Sequence, residues 1–536
     1  MKLLHRWAPL LLLVTALSSC TRQEPQQKPP KKFHTLRMNI SREPTTMDPR
    51  QGSELVGSTL HFMLFEGLVR LNPDNSITPA QAQSIEISDD RKTYIFHLRK
   101  TKWSDGTRVV AADFENAWKK ILTPNFPAAN AHLLYPIKNA EKAKRGVVPL
   151  DQVGIRAPDS KTLVVELENP TPYFLDLISF CVFFPVSHTV DETDPAWMQE
   201  ASSHFISNGP FRLVSWKHHN ELVLEKNPYY WEAPQIDLDK IQISMVSDEN
   251  TVLNMYKKNE LDIMGLGISP LPKDALLQYQ QWGELKTYSI PATTILCFNV
   301  NRFPFDNKNI RKAFAYAVNR KEIVDNITQL EEEVATNIIP SGLKYNPHLS
   351  YFQDNNIKRA QKLFRRGLEE LHITPQEFPV ITYYYSHDSL NHKLAQALQQ
   401  QWSKILGVKV HLEQSDHKVF LDRLKNRNYD LAQSFWFAQY NDPLSILERF
   451  KYQANAKNYC GWENPEYIRL LEKSYTDATE EERMKTLKTA EALFMEEMPL
   501  TPLYHWKSAF MIKDHLDYKE FPADGFFELT RISVKK

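Results

Sequence analysis

Adjacent His218 and His219 are the residues whose types and spacing first suggest chemistry, because paired imidazoles are common metal ligands. No third ligand sits at a useful spacing, so a solvated loop is the simpler reading. Cys181, Cys297 and Cys460 lack C-x-x-C spacing, which makes zinc and redox roles unexpected. Glycine is scarce, at 15 residues, and no G-x-G-x-x-G, G-K-S/T or G-x-S-x-G string occurs, which removes the usual phosphate loops and the nucleophile elbow. A hydrolase needs a nucleophile with a positioned base, or a metal with three ligands. The 17 histidines and many carboxylates allow scattered triads, but nothing is spaced to suggest one. Lys+Arg and Asp+Glu both total 65, a formal net charge of zero, so no electrostatic case for nucleic acid arises.

The stretch that can position a binding site spans residues 379–443. Apolar patterning predicts a strand over 380–385, a helix over 390–406 stopped by Gly407, a strand over 408–412, a helix over 419–425 and a strand over 430–437. Such β-α-β-α-β order implies parallel strands joined by right-handed crossovers. Ligands of open parallel sheets bind outside the carboxyl ends of the strands, which singles out the loops at 386–389, 413–417 and 438–443.

Elsewhere the elements are scaffold. A strand over 93–98 leads through the Ser104-Asp105-Gly106 turn, anchored by Trp103, to a helix with Asp113 as N-cap and Phe114, Ala117, Trp118, Ile121 and Leu122 at helical spacing. A strand over 162–167 and an aromatic core stretch over 170–184 follow, then a hairpin of 211–216 with 221–225 that leaves His218 and His219 in its loop. Residues 241–246, a helix capped by Asp248, and a strand beginning at Leu261-Asp262-Ile263 read as a βαβ unit. A helix over 309–318 breaks at Asn319-Arg320-Lys321, and Glu331-Glu332-Glu333 reads as solvated surface. At the start, Lys2, His5 and Arg6 precede a short apolar run over 7–17, which predicts a signal peptide and export. Residues 21–32 are rich in Gln, Pro and Lys and too polar to fold, so a flexible tether near anionic lipid is expected.

Several words in this chain are specific in combination. Met47-Asp48-Pro49, Phe65-Glu66-Gly67-Leu68, Phe96-His97-Leu98-Arg99, Trp103-Ser104-Asp105-Gly106-Thr107, Asp113-Phe114 followed by Trp118, Asn208-Gly209-Pro210-Phe211, Asn227-Pro228-Tyr229-Tyr230-Trp231 and Pro304-Phe305-Asp306 with Arg311-Lys312-Ala313 resemble the oligopeptide-binding family, in order and spacing. That family comprises the extracytoplasmic solute-binding proteins of peptide ABC importers, and the resemblance covers about residues 36 to 530. Leu17-Ser18-Ser19-Cys20 resembles a bacterial lipobox, which implies cleavage before Cys20 and its acylation.

The resemblance implies an α/β, two-lobed periplasmic-binding-protein fold of type II, in its large three-domain variant, with a ligand cleft between the lobes. The expected partition is a signal peptide at 1–19, a lipid-anchored tether at 20–35, lobe 1 from 36–65, 202–292 and 508–536, an extra domain at 66–201 packed on lobe 1, and lobe 2 at 293–507. Chain crossings near Phe205 and Thr293 would form the hinge. Trp436, Phe437, Gln439, Tyr440, Asn441 and Asp442 fall on the family's W-x-A-D-Y-N-E-P loop, whose Asp pairs with a peptide ammonium; here that position is Gln439. Gln433 stands where some members carry an Arg for the peptide carboxylate, and Asn391 where some carry a His. His387, His417 and Glu54 complete the expected ligand-binding set. Gln439 predicts weak discrimination between free and acetylated amines, unless Asp416, Asp442 or Glu54 supplies the missing charge. Asp442 before Pro443 is also the usual start of a helix, so capping is its favoured role.

The expected function is therefore capture of short peptides outside the cytoplasmic membrane and delivery to an ABC import permease. The expected protein is a monomer held to the membrane by its lipid, with no cofactor, no metal, no catalytic residue and no nucleic-acid partner. The alternative is the same scaffold with a murein, blocked or γ-linked peptide or another small solute. A hydrolase or a surface interaction protein is the more distant alternative.

Overall fold

The computed structural model describes residues 34–52, 54–343, 349–518 and 531–535, and of Lys273, Asp274 and His417 the backbone alone. The expected signal peptide, tether and Cys20 lie outside the described residues.

The first sheet has four strands. Thr35–Ile40 runs parallel to Lys240–Met245, which pairs antiparallel with Glu221–Lys226, and that strand with Phe211–Lys217. The expected hairpin is present, and both His218 and His219 lie in its turn against Glu43. Asp248 caps the following helix, Glu249–Lys257, by accepting the Thr251 amide at 2.8 Å. The expected βαβ unit is not formed. Ile263–Gly265 joins another sheet, antiparallel to Leu500–Ile512. A partner so distant in sequence leaves no trace in local periodicity.

A second four-stranded sheet, all antiparallel, is ordered Ala82–Ile87, Thr93–Leu98, Thr162–Glu166, Ile155–Asp159. The helix Ala111–Ile121 buries Phe114, Ala117, Trp118 and Ile121, all at 0–1% exposure. Asp113 is not its N-cap but its third residue, with Val110 at the cap. Its carboxylate accepts the Val110 amide at 2.9 Å and the Trp103 indole N–H at 3.1 Å, so one acid ties the helix start to the preceding turn.

The words that carry the family resemblance prove to be knots of this scaffold. The buried Glu66 accepts hydrogen bonds from Tyr230 Oη at 2.6 Å, Trp231 Nε1 at 2.7 Å and Gln81 Nε2 at 2.7 Å, and pairs with Arg70. Asn208 exchanges hydrogen bonds with the Glu66 backbone at 3.1 and 2.9 Å. A buried carboxylate is tolerated only when so fully answered.

The largest sheet has seven strands, in the order Ile263–Gly265, Leu500–Ile512, Lys286–Phe298, Leu431–Phe437, Ile381–Ser386, Val410–Ser415, with Glu333–Val334 beside Leu500–Ile512. Its last three strands are mutually parallel, as the β-α-β-α-β pattern predicts, and Gly407 closes the Ser389–Leu406 helix at φ 72°. Lys286–Phe298 and Leu500–Ile512 are the long strands, paired antiparallel with a register shift between Ser289 and Thr293. Phe205 packs between the rings of Phe65 and Trp197 at 6.4 and 5.5 Å. Glu332 is also unlike the expected solvated surface. It is 8% exposed, accepts from Thr328 Oγ1 at 2.6 Å and the Leu330 amide at 3.1 Å, and burial pushes its carboxyl up.

Beside the register shift lies His505, 3% exposed, with Nδ1 at 2.8 Å from Thr293 Oγ1 and Nε2 at 3.1 Å from Asn337 Oδ1. Burial pushes its pKa down to about 3, against 6.5 ordinarily. A depressed histidine contributes stability in full above the unfolded value, and that stability is lost as pH falls below about 6.5. His505→Gln is therefore expected to lessen the stability loss between about pH 6.5 and 5 by about 2 kcal/mol, measured by urea unfolding at each pH. An unchanged pH slope would contradict it.

Candidate functional site

Two of the three loops singled out by strand order are stitched together. The His387 amide donates to the Ser415 carbonyl at 2.8 Å, joining the first two. Asp388 caps the Ser389–Leu406 helix through the Leu390 and Asn391 amides, which fixes Asn391 in the first turn. Asn391 Nδ2 donates to the Ser386 carbonyl at 3.1 Å, Gln433 Nε2 donates to Asn391 Oδ1 at 2.6 Å, and Tyr383 Oη donates to Gln433 Oε1 at 2.8 Å. Gln433 and Asn391 thus belong to one chain of neutral hydrogen bonds.

That chain forms one wall of a cavity of about 220 Å³, completed by Thr294, Phe420, Phe435, Tyr504 and Trp506. Trp506 Nε1 donates to Thr294 Oγ1 at 2.7 Å, and its ring lies 4.9 Å from that of Phe435. No Lys, Arg or His is among the residues lining the cavity. Aromatic faces with amide and hydroxyl groups can hold an extended ligand by packing and neutral hydrogen bonds, with no fixed positive charge for a carboxylate. Phe435 is absent from the sequence expectation although it was legible: it alternates with Gln433 on one face of the strand and is 47% exposed.

The third loop faces a different partner. Gln439 Oε1 lies 3.1 Å from His132 Nε2, its Nε2 reaches Asn130 Oδ1 at 3.4 Å, and its amide donates to Ser445 Oγ at 2.7 Å. Burial holds His132 below its ordinary value, so the neutral ring can donate to the glutamine carbonyl. Tyr440 stacks on Tyr173, rings 4.7 Å apart and 10° from parallel. Gln439 and Tyr440 therefore line a second cavity, of about 610 Å³, against residues 129–136 and Tyr173. Sequence gave no signal for His132 or Asn130, which sit outside every motif.

The other expected residues divide. Trp436 is 6% exposed and sandwiched between the Arg449 guanidinium at 4.3 Å and the Tyr459 ring at 5.0 Å, on the face opposite Gln433. Asn441 and Asp442 are buried, and the Asp442 carboxylate is engaged by Arg483, Nη2 to Oδ1 and Nη1 to Oδ2 both at 2.7 Å. Asp442 Oδ1 also accepts the Leu444 amide at 2.9 Å, while the N-cap of the Leu444–Leu447 turn is Pro443 and not Asp442 as expected. These groups support the loop and do not face either cavity. Phe437 is half-buried, and its carbonyl accepts from Arg449 Nη2 at 2.8 Å. Glu54 pairs with Arg42 at 2.9 Å and accepts the Thr45 amide at 2.6 Å, stitching its own loop. His387 is exposed, and the His417 side chain lies outside the described residues.

Comparisons with known proteins identify the family and the fold. The oligopeptide-binding protein OppA of Bacillus subtilis (strain 168) is 37% identical over 495 residues, 92% of this chain and 91% of the relative. Among solved structures, the murein tripeptide-binding protein MppA in its unliganded open form superposes with a TM-score of 0.82 at 26% identity, covering 94% of this chain and 98% of that one. Haemophilus influenzae OppA in complex with RPPGFSPFR gives 0.73 at 25% identity, covering 94% and 99%. The family described as Bacterial extracellular solute-binding proteins, family 5 Middle, matches residues 76–458. The two-lobed, type II α/β architecture is that of these neighbours. This chain belongs to family 5 of the bacterial extracellular solute-binding proteins.

Proposed function

We propose that this protein captures short peptides outside the cytoplasmic membrane and hands them to an ABC import permease. The observation that carries the reading is the neutral, aromatic-walled cavity at the carboxyl ends of three parallel strands, in a chain 37% identical to an oligopeptide-binding relative. An extended peptide gains sequence-tolerant affinity from backbone hydrogen bonds, while an aromatic wall accepts varied side chains. Nearly equal identities accompany the higher TM-score with the unliganded open form, 0.82 against 0.73 for the peptide complex, which supports an open cleft here and closure on the ligand.

In this reading residues 36–65, 202–292 and 508–536 form one lobe, 293–507 the other, and 66–201 an extra domain. Cys20 carries a lipid anchor, the protein acts as a monomer and no catalytic role is assigned. Gln433, Asn391 and His387 lie on the cleft side of lobe 2, with Gln439 and Tyr440 at the far end. A second reading, a ligand with a blocked or unusual carboxyl end, is favoured by the absence of any cation among the residues lining the cavity at Gln433. Native mass spectrometry of gently purified protein tests the proposal. A bound mass that fragments as a peptide is expected, and a non-peptide mass at full occupancy would overturn it.

A further inference from the structure

We infer that Glu448 is the carboxylate that receives a ligand's primary ammonium, in the chamber beyond Gln439. The inference deepens the peptide-capture reading and rests on it. Gln439 cannot supply charge, and the structure disposes of the three carboxylates that might have replaced it. Asp442 is held by Arg483 at 2.7 Å. Glu54 is held by Arg42 and the Thr45 amide. Asp416 is spent as an N-cap, accepting the Lys418 and Val419 amides at 3.0 and 3.2 Å.

Glu448 differs from all three. It lines the cavity of about 610 Å³ together with Gln439, Tyr440 and Tyr173. Among the described residues it forms no ion pair, and its one side-chain hydrogen bond is from the Tyr475 hydroxyl to Oε1, with none at Oε2. Burial pushes its carboxyl up to about 7. Arg449 lines the same cavity, and among the described residues no cation forms an ion pair with Glu448. Lys451 lies 3.5 Å from Glu472. Arg483 is taken by Asp442, and Arg449 donates to the Ser445 and Phe437 carbonyls. Lys457 lines the same cavity but is exposed.

An unpaired carboxylate in poor contact with water is costly, and an incoming ammonium removes that cost. The stacked Tyr173 and Tyr440 rings add an aromatic wall to the chamber. His132, kept neutral by burial, holds Gln439 aside without competing for the acid. The chamber is thus built for an amine, displaced from the loop position where sequence analogy places it.

Calorimetry with tetraalanine and N-acetyl-tetraalanine on the full chain tests this, with Glu448→Gln as the variant, since glutamine keeps an acceptor for Tyr475. Wild type is expected to bind the free amine at least about tenfold more tightly, and Glu448→Gln to lose that tenfold while binding the acetylated peptide as before. A wild type that binds both peptides equally would overturn the inference, whether or not the variant folds. A variant that keeps the preference would overturn it too. Binding of neither peptide by wild type would instead remove the peptide reading beneath it.

Discussion

Arg483→Met is expected to destabilise the protein by about 3–5 kcal/mol, the usual cost of leaving one member of a buried ion pair alone. Both side chains are 2% exposed, and Asp442 would keep one backbone donor, the Leu444 amide, in place of a bidentate guanidinium. The loss falls on the loop that carries Gln439 and Tyr440, so ligand binding should weaken with stability. Asp442→Leu combined with Arg483→Met should recover most of it, because an apolar pair of similar volume is often neutral or better. Urea unfolding midpoints measure both. A single-variant loss under about 1 kcal/mol would show that the pair is not buried as described.

Gln433→Arg is expected to convert the neutral cavity into a carboxylate receptor. A guanidinium there faces Asn391 and Tyr383 and no acid among the residues lining the cavity, so it is free to pair with a ligand. Charge-assisted hydrogen bonds contribute about 1.5–3 kcal/mol, so affinity for tetraalanine over its C-terminal amide should rise about 10- to 100-fold relative to wild type. The same change leaves Tyr383 Oη and Asn391 Oδ1 without their present partner and should lower apo stability modestly. Equal gains for both peptides would mean that the cavity does not receive the carboxyl end.

Strand order and the three loops were legible because crossover units write their periodicity locally: each strand and helix from residue 380 to 437 appears within three residues of its expected bounds. Local pattern failed where partners were remote. Ile263–Gly265 looked like the third piece of a βαβ unit because nothing near it reveals Leu500–Ile512 as its neighbour. The start of the Ala111–Ile121 helix was expected three residues late, after Asp113, because an acid at the third helical position serves the same helix start as one at the cap. The family words identified the fold yet said little of the ligand, since Glu66, Asn208 and Trp231 are interior knots. Glu448 and His132 escaped notice for the converse reason. Each is an unremarkable residue in sequence, and only the approach of residues 129–136 to 439–457 gives them a cavity to face.

The central claim is that this cleft takes short peptides without a fixed charge for their carboxyl end. Calorimetric titration of the wild-type protein with tetraalanine and its C-terminal amide measures it directly. Binding of both within about tenfold of one another is the predicted result, a difference of at most about 1.4 kcal/mol. A preference for the free carboxylate above about 100-fold would contradict the account, because it would require a cation where the structure has Gln433, Asn391 and Tyr383.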